Sequence, residues 1–83
     1  MSRTYISDRT FEDIDFRQVK LEDANYDQCT FIRCQFKGVD MEDRVFIECE
    51  MQECDLSMAG LDETAFREIR FVNCKMMGMH FED

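Results

Sequence analysis

The side chains best suited to metal or nucleophilic chemistry are five cysteines in a chain of 83 residues. They are Cys29, Cys34, Cys49, Cys54 and Cys74. Thiolates bind Zn²⁺ when four ligands surround the ion, usually as closely spaced cysteine pairs. Gaps of five residues between neighbouring cysteines fit no such pattern. The sequence therefore predicts reduced thiols that pack as small apolar side chains, and it predicts no metal and no cofactor.

Acid–base and phosphate chemistry find little support in the sequence. His80 is the only histidine, and its position in the pattern described below is that of a solvated side chain rather than a general base. The glycines Gly38, Gly60 and Gly78 are isolated, so no glycine-rich phosphate loop is present. We therefore expect that the protein is not an enzyme.

The cysteine spacing reflects a period of five residues that runs through the chain. Large apolar residues, here called centres, recur at every fifth position, all eight phenylalanines share this phase, and every cysteine lies two residues before a centre. The centres are Ile6, Phe11, Phe16, Leu21, Tyr26, Phe31, Phe36, Met41, Phe46, Met51, Leu56, Leu61, Phe66, Phe71, Met76 and Phe81. The repeat occupies residues 4–83 of a single predicted domain, 1–83.

A five-residue period is neither helical nor that of a simple alternating strand. A short extended segment followed by a turn accounts for it, with the centre and the residue two before it pointing inward. The chain contains no proline, so every residue can donate to a continuous backbone ladder. These features predict a solenoid in which each repeat buries its apolar side against its neighbours.

Two segments carry a resemblance to a known family. Residues 24–28, Ala-Asn-Tyr-Asp-Gln, and 54–58, Cys-Asp-Leu-Ser-Met, resemble the units of pentapeptide-repeat proteins. The resemblance implies an all-β fold, a right-handed quadrilateral β-helix with four units, or twenty residues, in each coil. Residues 4–83 would then form about four coils, and residues i and i+20 would stack. Ending on a whole coil suggests a fragment of a longer rod, or a rod whose open end is covered.

The outward positions after one set of centres are uniformly acidic. The residues are Glu22, Asp23, Glu42, Asp43, Asp62, Glu63, Glu82 and Asp83. Stacked coils would carry two carboxylates every ~4.8 Å, or one per ~2.4 Å, against one phosphate per ~1.7 Å in duplex DNA. The sequence thus favours a DNA-like partner-binding face, with a merely solvating face or weak Ca²⁺ or Mg²⁺ binding as alternatives.

Net charge narrows the class of partner. The formal net charge is −9, which disfavours binding to nucleic acid or to an anionic membrane and favours a basic protein surface. Neither a signal peptide nor a membrane-spanning segment is evident, so we expect a cytoplasmic location.

The resemblance also implies a function. Residues 54–59 and 66–78 look like stretches of the quinolone-resistance and albicidin-resistance members, cytoplasmic dimers that protect DNA gyrase and topoisomerase IV, with imitation of B-form DNA as the usual explanation. A type II topoisomerase such as gyrase is therefore the expected partner. Those members are longer, and their dimer contact lies in a C-terminal part that has no counterpart here.

The predicted last coil would leave an uncapped sheet end. We expect a homodimer that associates through this C-terminal end, with Met76, Met79 and Phe81 in the contact. A general interaction scaffold is the alternative function, with an exposed apolar corner or the open end as its contact. That corner consists of Ile32, Val45, Ile47 and Val72. Two arginines, Arg9 and Arg44, occupy small-residue positions, and Arg44 is expected to extend outward past Ala24 and Thr64.

Overall fold

The computed structural model describes residues 4–78 and contains eight short β-strands. The strands are β1 (Thr4–Ser7), β2 (Thr10–Glu12), β3 (Ala24–Asp27), β4 (Thr30–Ile32), β5 (Val45–Ile47), β6 (Glu50–Gln52), β7 (Ala65–Arg67) and β8 (Arg70–Val72). In the described part of the chain, no helix is long and apolar enough to cross a membrane.

The strands form two parallel four-stranded sheets, ordered β1-β3-β5-β7 and β2-β4-β6-β8. Each strand from β1 to β6 pairs in register with the residues twenty positions further along, as in Tyr26 with Phe46 and Phe31 with Met51. Isolated bridges join the other two sides, through Asp15, Gln35, Asp55 and Lys75 on one and through Asp40 and Gly60 on the other. The predicted four-sided, twenty-residue coil is confirmed.

The corners of the coil share one backbone conformation. Positive φ angles of 50–69° recur at the position two residues after a centre. The residues are Asp8, Asp13, Gln28, Arg33, Gly38, Asp43, Glu48, Glu53, Met58, Glu63, Glu68, Asn73 and Gly78. This left-handed conformation favours glycine, asparagine and aspartate, and it turns each short segment into the next side. The described residues complete three turns and part of a fourth, and the last predicted unit, 79–83, lies outside them.

The interior is a set of stacked aromatic and aliphatic columns. Phe31 and Phe36 are fully buried, and their rings stack on Phe11 and Phe16 of the preceding turn at centroid distances of 4.8 Å. Tyr26 stacks on Phe46 at 5.1 Å. Rings on adjacent sides meet edge to face, as Phe31 and Phe36 do at 5.7 Å. The columns expected from i and i+20 stacking are therefore present, and their burial is the main stabilising term.

The small inward position forms a hydrogen bond that recurs from turn to turn. Each cysteine thiol lies 3.2–3.4 Å from the carbonyl oxygen of the centre 23 residues earlier. The pairs are Cys29 with Ile6, Cys34 with Phe11, Cys49 with Tyr26, Cys54 with Phe31 and Cys74 with Met51. All five are free thiols, and only Cys74 is not fully buried. The prediction that the cysteines lie in the interior is confirmed.

The prediction that the apolar corner is exposed is wrong. Ile32, Val45, Ile47 and Val72 are all half-buried rather than exposed. They point outward from in-register strands only one rung apart, so side chains on neighbouring rungs cover one another's flanks. Arg9, at the first turn, is exposed and holds its guanidinium 5.7 Å from the centroid of the Phe11 ring.

Candidate protein-interaction face

The acidic corner, formed by Glu22, Asp23, Asp40, Glu42, Asp43, Asp62 and Glu63, projects from the fourth side of the coil. The centres that precede its acidic pairs are Leu21, Met41 and Leu61, with 3%, 0% and 2% of their surface exposed. Because these centres occupy the interior, the residues that follow them must lie on the outer surface. All the acidic side chains are exposed except that of Asp62, which is half-buried.

Backbone hydrogen bonds align the second and third acidic turns. The Met41 amide donates to the Gly60 carbonyl at 2.8 Å, and the Asp43 amide donates to the Asp62 carbonyl at 3.1 Å. Asp43 and Glu63 both have positive φ, so their side chains leave the corner in the same direction. The ladder thus places two carboxylate pairs one rung apart, at a spacing of ~4.8 Å.

The pKa of Glu42 reports mutual repulsion within the corner. It is raised from its ordinary value of 4.5 by the charges of Asp40 and Asp43 on the same turn and by slight desolvation, with Asp62 and Glu63 of the next turn adding to the shift. Elsewhere acidic side chains pair with arginine, and hydrogen bonds from Arg33 and Arg17 hold the pKa values of Asp13 and Asp15 below their usual range. The acidic corner is therefore a site of concentrated negative potential.

Asp40 belongs to this cluster but was not predicted from the sequence. It lies one residue before the centre Met41, and its carboxylate accepts a hydrogen bond from the Glu42 amide at 3.0 Å. Its neighbours in the twenty-residue column are Lys20 and Gly60, so no run of like residues marks it. Only the turn geometry brings its charge against Glu42.

Arg44 anchors the corner from its edge. Its Nη2 donates to the Leu21 carbonyl at 2.6 Å, and its Nη1 donates to the Glu42 carbonyl at 3.0 Å. The side chain is half-buried, and its Nε is a buried nitrogen with no hydrogen-bond partner. The expected outward course is thus only partly followed, because the guanidinium bends onto the carbonyls of the acidic turns.

Two hydroxyl groups complete this anchoring. Thr64 Oγ1 donates to the Met41 carbonyl at 2.6 Å, and Tyr26 Oη donates to the Glu22 carbonyl at 2.6 Å. Burial raises the pKa of Tyr26 to about 12, so the phenol remains a donor throughout the physiological range. The first acidic pair, Glu22 and Asp23, therefore lies on a segment held by side chains of buried or half-buried residues.

Several predicted residues lie outside the described part of the chain. These are Glu82 and Asp83 of the acidic set, Met79 and Phe81 of the proposed self-association contact, and His80. Met76, the remaining member of that contact, is 38% exposed near the end of the described chain. Among residues 4–78, no three histidine, cysteine, aspartate or glutamate side chains are placed to hold a metal ion together.

Solved structures with the same fold include QnrB1. A trypsin-treated QnrB1 variant, described as a plasmid-mediated fluoroquinolone resistance protein, matches 95% of this chain with a TM-score of 0.69 at 18% sequence identity. Full-length QnrB1 matches 93% with a TM-score of 0.59 at 17% identity. This chain spans 48% of either protein, about half its length. At this identity the similarity establishes the fold.

A family description agrees with this fold. No curated protein matches the sequence. Residues 11–43 match the family model described as pentapeptide repeats, in eight copies. The same five-residue phase and twenty-residue register continue on both sides of that segment, from β1 to β8. Residues 11–43 therefore carry pentapeptide repeats, and the described strands on either side share the same coil.

Proposed function

We propose that this protein is a non-enzymatic DNA mimic that binds a type II topoisomerase through the acidic corner. In this proposal it acts in the cytoplasm and protects the enzyme from quinolones or similar inhibitors. The observation that carries the proposal is the crowding of Asp40, Glu42, Asp43, Asp62 and Glu63, which raises the pKa of Glu42. Like charges stacked in this way oppose folding, so a role in binding explains them better than solubility does.

The anchoring of the corner supports the same function. A DNA-binding surface reads the position of phosphates, so a mimic must hold its charges at fixed spacing. Arg44, Thr64 and Tyr26 fix the carbonyls of Leu21, Met41 and Glu22, and the ladder fixes turns 40–43 and 60–63 relative to each other. A rigid charged surface loses little conformational entropy when it binds.

The fold of a fluoroquinolone resistance protein supports the choice of partner. DNA gyrase is the enzyme to test first, since the resemblance of residues 54–59 and 66–78 implies it. The direct experiment measures binding of the whole chain to purified gyrase and its competition by duplex DNA. A supercoiling assay with and without a quinolone then tests protection. Binding that duplex DNA fails to displace would contradict mimicry.

Charge reversal separates the acidic corner from net charge. Changing Glu42, Asp43, Asp62 and Glu63 together to lysine should abolish binding. The control changes Asp8, Glu48, Glu53 and Glu68 to lysine, because all four are exposed and, like Asp43 and Glu63, have positive φ. The control carries the same net charge, so it should bind nearly as well as the unchanged chain. Equal loss in both variants would show that net charge alone drives the interaction.

The scaffold alternative makes the opposite prediction. It places the partner on the apolar side chains of β5 and β8, Ile47 and Val72, which lie on the two sheets rather than at the acidic corner. Ile47→Asp or Val72→Asp would then weaken binding, whereas the charge reversals would have no effect. That combination of results would replace topoisomerase mimicry with a general interaction role.

A further inference from the structure

Three cysteines occupy one column on consecutive turns. Cys34, Cys54 and Cys74 each lie two residues before a centre and twenty residues apart. Bridges between Gln35, Asp55 and Lys75, the residues that follow them, keep the three turns in register. The backbone therefore repeats at the β-rung spacing of ~4.8 Å along the column.

The three thiols also share one orientation. Their Sγ atoms lie 3.3, 3.4 and 3.2 Å from the carbonyl oxygens of Phe11, Phe31 and Met51, which are themselves one rung apart. Each Sγ also lies 3.3–3.5 Å from the carbonyl oxygen two residues earlier in the chain. Because both contacts repeat, successive sulfur atoms are displaced by the same rung spacing as the backbone.

We propose that this thiol column binds the soft monovalent cation Cu(I), in linear coordination between Cys54 and one of its two neighbours. A metal–thiolate bond of ~2.3 Å, as for zinc, gives a linear sulfur–metal–sulfur unit of about 4.6 Å, close to one rung. Soft thiolate ligands select Cu(I). Three sulfurs in a line cannot surround a tetrahedral ion, so the geometry disfavours Zn²⁺.

A disulfide fits the column less well than a bridging cation. A disulfide brings Cβ atoms within ~3.5–4.5 Å, whereas parallel side chains one rung apart stay at about 4.8 Å. Closing the bond would pull two turns together against their ladder. A cation fills the same gap without moving the backbone.

The surroundings supply an entry route. A surface depression of about 430 Å³ reaches Cys54, and two carboxylates, those of Glu53 and Asp55, line it together with the ammonium group of Lys75. On binding, two S–H bonds release their protons to solvent and two Cu–S bonds form, so the site carries a net charge of −1 and no electron is transferred.

The test compares removal of the middle cysteine, Cys54, with removal of either of its neighbours in the column. The experiment adds Cu(I), without oxygen, to the whole chain in the presence of a competing Cu(I) chelator, and it measures bound copper per chain. All variants carry Cys29→Ser to remove the second stacked pair, Cys29 and Cys49. Cys34→Ser or Cys74→Ser leaves one adjacent pair and should keep one bound copper. Cys54→Ser leaves thiols two rungs, or ~9.6 Å, apart and should lose it.

Two further measurements identify the copper ligands and show whether the variants remain folded. X-ray absorption of the unmodified chain with copper should show two sulfur ligands, and circular dichroism should show that every variant keeps the β-solenoid. Serine retains a donor for the carbonyl that the thiol contacts, so the variants are expected to fold. Equal copper in all variants, no copper in the Cys29→Ser parent, or ligands other than sulfur would overturn the proposal.

Discussion

Arg44 Nη2 lies 2.6 Å from the carbonyl oxygen of Leu21, 23 residues earlier. Cysteine thiols make this same connection elsewhere in the coil, and Thr64 Oγ1 makes it to Met41 on the next turn. The arginine therefore acts as a long donor at a position made for a short one. Its extra length brings a positive charge against the acidic turns and leaves its Nε buried without a partner.

Replacing this arginine tests the importance of that donor. Arg44→Thr should be neutral or stabilising, because threonine retains the hydrogen bond to Leu21 as Thr64 does to Met41, and the orphan Nε disappears. Arg44→Ala should lower the free energy of unfolding by about 1 kcal/mol or more, the usual cost of losing a hydrogen bond. Urea unfolding of the two variants measures the difference, with Thr64→Ala as the matched control. An alanine variant as stable as the threonine variant would contradict this account.

The loss of stability on removing an aromatic ring should depend on how deeply that ring is buried. Phe31 is fully buried and packs against Phe11, Tyr26, Phe36 and Phe46. Phe31→Ala should lower the free energy of unfolding by about 3–5 kcal/mol, the range for deleting a buried phenylalanine. Phe71→Ala, at a half-buried centre of the last described turn, should cost less. Chemical denaturation of both variants makes the comparison, and similar losses would argue against an interior that is best packed in its middle turns.

The raised pKa of Glu42 predicts an unusual dependence of stability on pH. The folded chain holds this proton more tightly than the unfolded chain, so the associated stability is complete below the ordinary value of 4.5 and is lost as the pH rises through the folded pKa. Glu42→Gln should therefore be more stable than the unchanged chain at neutral pH, and the difference should vanish in acid. Thermal unfolding over pH 3–8 measures this.

Asp15 supplies a control, because its pKa is shifted in the opposite direction to that of Glu42. Hydrogen bonds from Arg17 lower its pKa below 3.8, so its contribution to stability is present above that value and fades as the pH falls through the folded pKa. Asp15→Asn should lose stability at neutral pH and little in strong acid. If both substitutions changed the stability in the same direction at neutral pH, the pKa values of Glu42 and Asp15 would not be shifted in opposite directions.

Self-association through the C-terminal end is a separate prediction. Met76, Met79 and Phe81 are the proposed contact, so Met76→Lys should weaken a dimer that light scattering detects at micromolar concentration. Ile47→Asp, on the side of the rod, should leave that dimer intact. A chain that stays monomeric under these conditions would remove the C-terminal contact from the proposal.

The core could be predicted from the sequence because a twenty-residue coil is a whole number of five-residue units. Each centre therefore returns to the same side on every turn, and the phase shared by Phe11, Phe31 and Phe71 defines an interior column. The acidic pairs at 42–43 and 62–63 follow by the same arithmetic. Local spacing and burial are sufficient for these features.

Other features depend on distances between turns. Asp40 joins Glu42 through a turn hydrogen bond, Arg44 bends onto carbonyls of two turns, and the outward apolar residues of β4, β5 and β8 are half-buried by their neighbours. The sequence alone determined the coil, its interior and the side that bears the acidic ladder, because these depend only on periodicity. The tertiary structure decided which charges interact and which donors reach which carbonyls, because such contacts depend on side-chain direction and on the few ångströms between stacked turns.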